Sequence, residues 1–283
     1  MQRIDAHQHY WLIERGDYGW ITPKLPILCR DFLPEHLAPH LAAHSLSGSI
    51  VVQAAPTLEE TEYLLSLAQE DESILGVVGW LDLNDPNHYC YFEQFQAQPK
   101  FVGFRVMIQE MADAREILAP HFMEALQKYV SLDIPIDLLL RSDQLESLIS
   151  LVDRVPDLRG VIDHIAKPRI AEGQLEPWHS QMKRLAEHPN IHVKLSGMVT
   201  EAKHHGWEQK DFTTYIQSIL EMFGAERVMF GSDWPVCLLS ADYDQVMEIL
   251  LNAIPQHWGE TERAQLFGGN AERFYKLKLG ESQ

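Results

Sequence analysis

Eight short apolar runs recur along the chain, separated by stretches in which apolar positions fall three or four residues apart. The runs are RIDAHQHY, SGSIVVQAA, ILGVVGWLDL, FVGFRVM, IPIDLLLR, LRGVIDHI, NIHVKLSG and ERVMFGSD. Most are continuous rather than alternating, the pattern of strands covered on both faces in a parallel sheet. The stretches TLEETEYLLSLAQE, APHFMEALQKYV, SDQLESLISLVDRV, EPWHSQMKRLAEH and KDFTTYIQSILEMFG carry helical periodicity. Thr57 and Asp143 stand where N-caps are expected, Gly224 closes ILEMF, and Pro156 and Pro189 follow amphipathic runs. His36, His40 and His44 fall four apart, but Pro39 interrupts them, so they read as a solvated face.

Strand–helix alternation without a linker or charge block predicts a (β/α)8 TIM barrel of the α/β class, a single hydrolase domain over residues 1–283. A doubly wound open sheet fits less well, because HYWLIERGDYGW stands where a glycine-rich phosphate loop would follow the first strand. Composition changes this picture little: 46% hydrophobic and 23% charged residues suit a globular chain with a sizeable core. Charge excludes partners. With 41 acidic against 23 basic side chains the formal net charge is −18, which repels nucleic acid and anionic membrane surfaces. Three cysteines without a CxxC pair suit a reducing compartment. With no signal-like start and no apolar run of roughly 20 residues, a cytoplasmic location is expected.

Barrel function sits at the C-terminal ends of the strands, which turns the strand series into a site. The ends carry His7 and His9, Gln53, Trp80 or Asp82, Arg105, Asp163 and His164 followed by Lys167, Lys194 with Ser196, and Asp233. Side chains two apart on a strand share a face, so His7 and His9 can converge on one ion or one substrate oxygen. Asp233, directly after VMFGS, can accept a proton from an attacking water. His164 can donate a hydrogen bond to a developing oxyanion, and Arg105 offers a permanent cation for carbonyl recognition. Gln53, Trp80, Arg105 and Lys194 are the expected substrate-binding set, with Trp80 as a flat wall against a ring.

The strings DAHQHYW, VVQAAPTLEETEYLL, GVVGWLDL, FVGFRVM, DHIAKP, KLSGMVTEA and FGSDWPV, in this order, resemble the amidohydrolase superfamily of amidohydrolase-2 type. Within it they are most similar to the sugar-lactonase branch of fuconolactonases and rhamnonolactonases. The resemblance implies a hydrolase that opens the cyclic ester of a sugar-derived lactone, with His7, His9, His164 and Asp233 as catalytic residues. A metal-dependent decarboxylase on the same barrel and a non-catalytic sugar-binding barrel are the alternatives. The fifth strand, IPIDLLLR, lacks the histidine or lysine that many superfamily members supply as a metal ligand. His7, His9 and Asp233 could still hold one divalent ion, zinc in preference, since three protein ligands and an open position suit catalytic zinc. Metal-free catalysis stays open, as does a symmetric homo-oligomer.

Overall fold

The computed structural model of the protein describes residues 2–204 and 206–278. Eight parallel strands run in the order of the sequence: β1 (Ile4–Gln8), β2 (Gly48–Val52), β3 (Ile74–Trp80), β4 (Phe101–Met107), β5 (Ile136–Leu139), β6 (Gly160–Ile162), β7 (Ile191–Leu195) and β8 (Val228–Phe230). Each pairs with its successor. Beyond the last strand, a parallel bridge between Gln8 and Trp234 and the bonds His9 N–H to Trp234 O (2.7 Å) and Asp233 N–H to His7 O (2.8 Å) tie the end of β8 to β1. The barrel is thus nearly closed.

Helices follow the strands: α1 (Pro34–Ala43), α2 (Leu58–Glu70), α3 (His88–Gln96), α4 (Pro120–Ser131), α5 (Leu145–Arg154), α6 (Trp178–Ala186), α7 (Gln209–Phe223) and α8 (Tyr243–Ala253). Short α9 (Glu260–Ala264) and α10 (Asn270–Tyr275) end the described chain. No helix among the described residues is long and apolar enough to cross a membrane.

Thr57 caps α2 as expected, its hydroxyl accepting from Glu60 N–H. Asp143 does not cap α5: it lies within a separate turn, Ser142–Gln144, and the helix starts at Leu145 without a side-chain cap. Pro39 sits inside α1, where burial of Leu37 and Leu41 outweighs one missing backbone hydrogen bond. His36 is exposed as expected, but His40 and His44 are less solvated. His40 stacks on Tyr243 of α8, and His44 Nε2 lies 2.7 Å from Asp244.

One irregularity decides where the site points. Asp5 pairs with Ser49 but Gln8 pairs with Val51, so three steps of β1 match two of β2. Ile4 and Ala6 join Ile50, Val52, Val78 and Met229 in the barrel's inner cluster, which Phe274 and Tyr275 of α10 extend. Asp5 turns outward to the Tyr243 hydroxyl. Strict alternation would send His7 outward with it; the bulge re-aims His7 inward instead. Gln8 again faces the helix layer, donating to Ser49 Oγ at 3.0 Å.

Candidate active site

Beyond the inner apolar cluster the barrel interior turns ionic. Asp137 of β5, Asp163 after β6, Lys194 of β7 and Arg105 of β4 are all buried. Lys194 is hydrogen-bonded to Asp137, and its ammonium lies 3.2 Å from Asp163 Oδ1 and 3.2 Å from His7 Nδ1. Tyr275 donates to Asp137 Oδ1 at 2.7 Å. Arg105 reaches Asp163 Oδ2 at 3.4 Å and also donates to the backbone and side-chain oxygens of Gln53. Two carboxylates thus face two cations, the balance a buried ionic cluster requires. Burial raises Asp137 to about 6 despite Lys194. Burial opposes ionisation of Asp163 too, yet Lys194, His7 and Arg105 together hold its carboxyl well below the ordinary range.

On this platform stand three imidazoles and one carboxylate. His7 Nε2 and His9 Nε2 are 3.3 Å apart. Asp233 Oδ1 lies 3.3 Å from His9 Nε2, 3.8 Å from His7 Nε2 and 3.9 Å from His164 Nε2. Each ring is anchored through its other nitrogen. His9 Nδ1 donates to Val52 O at 2.7 Å, since a carbonyl only accepts, and this bond turns Nε2 of His9 to the cluster. His7 Nδ1 lies 3.2 Å from Asp163 Oδ1, the buried oxygen that the Lys194 ammonium also approaches. His164 Nδ1 shares a 2.9 Å hydrogen bond with Ser196 Oγ. Burial lowers the proton affinity of His7 and His164, which keeps both rings neutral. Burial would raise Asp233, but His164, His9 and Lys167 hold it lowered and ionised.

The backbone that presents these groups is strained. His164, Ile165, Ala166 and Lys167 all have left-handed φ angles, 53°, 48°, 59° and 48°, and Asp233 has φ 57°. Each such non-glycine residue costs roughly 1–2 kcal/mol. The turn is held by Lys167 N–H to His164 O (2.8 Å) and by the Trp178 indole donating to Ile165 O (2.7 Å). Gly197 (φ +60°) makes room for it: a Cβ there would lie 2.4 Å from His164 Nδ1 and 3.1 Å from Asp233 Oδ2.

The donor set suits a metal ion. Zinc bound at about 2.0–2.1 Å by tetrahedral ligands places neighbouring ligand atoms about 3.3–3.4 Å apart, close to the spacing around His7, His9 and Asp233. The two Nε2 atoms of His7 and His9, 3.3 Å apart, both point at the place such an ion would take. His164 adds a fourth donor from the turn after β6, where the fifth strand supplies no histidine or lysine. The neighbouring group of His7, Asp137 and Asp163 differs, because the Lys194 ammonium already serves it.

Above the cluster opens a cavity of about 490 Å³ lined by His9, Arg105, His164 and Asp233 with Trp20 and Lys167, among others. Of the residues expected to bind substrate, Arg105 reaches this cavity. Gln53 lies fully buried behind Arg105 and holds it. Lys194 has no exposed surface and acts on His7 from below. Trp80 faces an adjoining cavity with Pro56, Met107 and Glu110, which border both spaces. The aromatic wall is Trp20, donating to Ala54 O at 2.8 Å and packed edge-on against Trp11. The long, aromatic-rich loop after β1 is its signal in the sequence, but loop direction is not encoded in periodicity.

Known proteins place this geometry in context. A family model described as Amidohydrolase matches residues 4–277. An L-fucono-1,5-lactonase of Burkholderia ambifaria is 39% identical over 278 residues, covering 97% of this chain and 96% of that protein. A second, from Burkholderia multivorans, is 37% identical over 285 residues, covering 97% and 96%. The crystal structure of an amidohydrolase from Burkholderia multivorans with bound zinc superposes with a TM-score of 0.91 at 37% identity, covering 98% of this chain and 100% of that one.

Proposed function

The chain belongs to the amidohydrolase family, and from that premise we propose that it is a lactonase, opening the cyclic ester of a sugar-derived lactone to the hydroxy acid. The observation that carries this reading is the convergence of three imidazoles and one carboxylate at the floor of a cavity with an aromatic wall. L-Fucono-1,5-lactone, named by the two Burkholderia relatives, is the first substrate to try. The free thiols of Cys29, Cys90 and Cys237 support a reducing, cytoplasmic setting for the reaction.

His7, His9, His164 and Asp233 would hold a zinc ion. When bound, such an ion acts as a Lewis acid and makes water a better nucleophile at neutral pH. Asp233 turns Oδ1 to the imidazoles, leaving Oδ2 beside the space that Gly197 keeps open. Asp233 takes a proton as water attacks the carbonyl carbon, and returns it to the ring oxygen when the carbon–oxygen bond breaks. The product is one hydroxy acid. Arg105, braced by Gln53 and Asp163, presents a fixed cation at the cavity wall, and Trp20 offers its face to the sugar ring.

The test is acid release, followed with a pH indicator, over a panel of aldonolactones before and after chelation and zinc restoration. Turnover of a six-membered sugar lactone supports the reading. An intact, zinc-loaded protein inert toward the whole panel overturns it.

A further inference from the structure

Lys167 closes the left-handed turn that begins at His164. With the Lys167 N–H bonded to the oxygen three residues back, the turn has three residues per revolution, so side chains at its first and fourth positions lie on one side. His164 and Lys167 accordingly both line the cavity, while Ile165 and Ala166 between them are fully buried. The packing of Ile165 and Ala166 explains why those positions are not glycine. It does not explain Lys167, where glycine would take the same backbone without strain. The lysine side chain must therefore do something at the cavity.

What it faces is chemically defined. Arg105 is engaged by Gln53 and Asp163. Lys167 has no ion-pair partner among the described residues, and its charge lies near Asp233 and Glu201. A lactone enters neutral, gathers negative charge at the carbonyl oxygen, and leaves as a carboxylate.

We propose that Lys167 is a catalytic residue that contacts the ester group and recognises the negative charge it acquires, binding the oxyanionic transition state and the product carboxylate more tightly than the neutral lactone. The proposal rests on the lactonase reading. It predicts a split that a packing role would not produce. Lys167→Met lowers kcat about 10- to 100-fold, the size of one lost charged hydrogen bond, while KM for the lactone stays within about threefold. Inhibition by the open-chain hydroxy acid weakens by a similar 10- to 100-fold factor. Lys167→Arg retains most of that inhibition. Lys167→Gly reproduces the kinetic defect with an unchanged or raised Tm, which separates loss of the cation from loss of the fold.

The experiment measures turnover of the lactone and inhibition by its hydroxy acid for wild type and the three variants, with product binding by calorimetry as a readout free of turnover. Wild-type turnover checks the lactonase reading by itself. Given that turnover, unchanged product affinity in folded Lys167→Met or Lys167→Gly overturns the proposal. So does a rise in KM matching the loss of product affinity, which would make Lys167 a hydroxyl contact instead.

Discussion

Removing the charge of Lys194 probes the ionic platform directly. Lys194→Met keeps much of the side-chain volume but leaves Asp163 to Arg105 and strips Asp137 of its ion-pair partner, with His7 deprived of its neighbour. All four charged groups are buried, so the loss is that of breaking a buried pair, about 3–5 kcal/mol. For a chain of this size each kcal/mol moves Tm by roughly 2–4 °C, giving a fall of roughly 6–20 °C. The double variant Asp137→Asn, Lys194→Met removes one charge of each sign and leaves Asp163 paired with Arg105. It should recover about 2 kcal/mol or more of the single variant's loss, a coupling expected only for groups sharing one network. Thermal and urea unfolding of wild type, both single variants and the double variant complete the cycle. If the single losses simply add in the double variant, or if Lys194→Met unfolds like wild type, the charge-balance argument is wrong.

Two further outcomes follow from particular contacts. Gly197→Ala meets both a left-handed φ and the His164 ring, so it should lower stability by about 2–5 kcal/mol and turnover at least tenfold. Gly224→Ala, at φ 66° and ψ 179° with open space around it, should cost about 1–3 kcal/mol and leave turnover intact; equal kinetic effects of the two would remove the steric argument. Burial raises Glu60 to about 7 even though it accepts from the N–H groups of Ala54 and Ala55. The folded state therefore holds that proton more tightly than the unfolded one, and its contribution is full below about pH 4.5 and lost as pH rises through about 7. Glu60→Gln should flatten the fall in Tm across that window, worth about 3 kcal/mol in wild type; an unaltered slope would assign it to Asp5 and Asp137, both raised by burial to about 6.

The strands are legible because continuous apolar runs alternating with helical periods fit little besides a parallel sheet covered on both faces, and the strand ends point at His7, His9, His164 and Asp233 together. What stays hidden depends on direction rather than on pattern. The HxH spacing shows that two rings share a face, but the bulge that chooses the inner face is a matter of register between β1 and β2. Asp137 stands in view as the lone acidic residue in IPIDLLLR, yet its partner lies 57 residues away on β7 and only the barrel brings them together. The left-handed turn at His164 contains neither glycine nor asparagine, so no residue announces it. Trp80 is the aromatic that strand ends alone would put at the wall; Trp20 takes that place because a long loop folds back and latches to Ala54.

In the proposed reaction, lactone opening depends on Asp233 within the histidine cluster. The most direct measurement is acid release from L-fucono-1,5-lactone by wild type and Asp233→Asn, at matched zinc content and with folding checked by circular dichroism. Asp233→Asn should keep the fold and lose turnover at least 100-fold, a loss on the order of what a positioned general base supplies. A folded Asp233→Asn protein releasing acid at the wild-type rate would contradict the account.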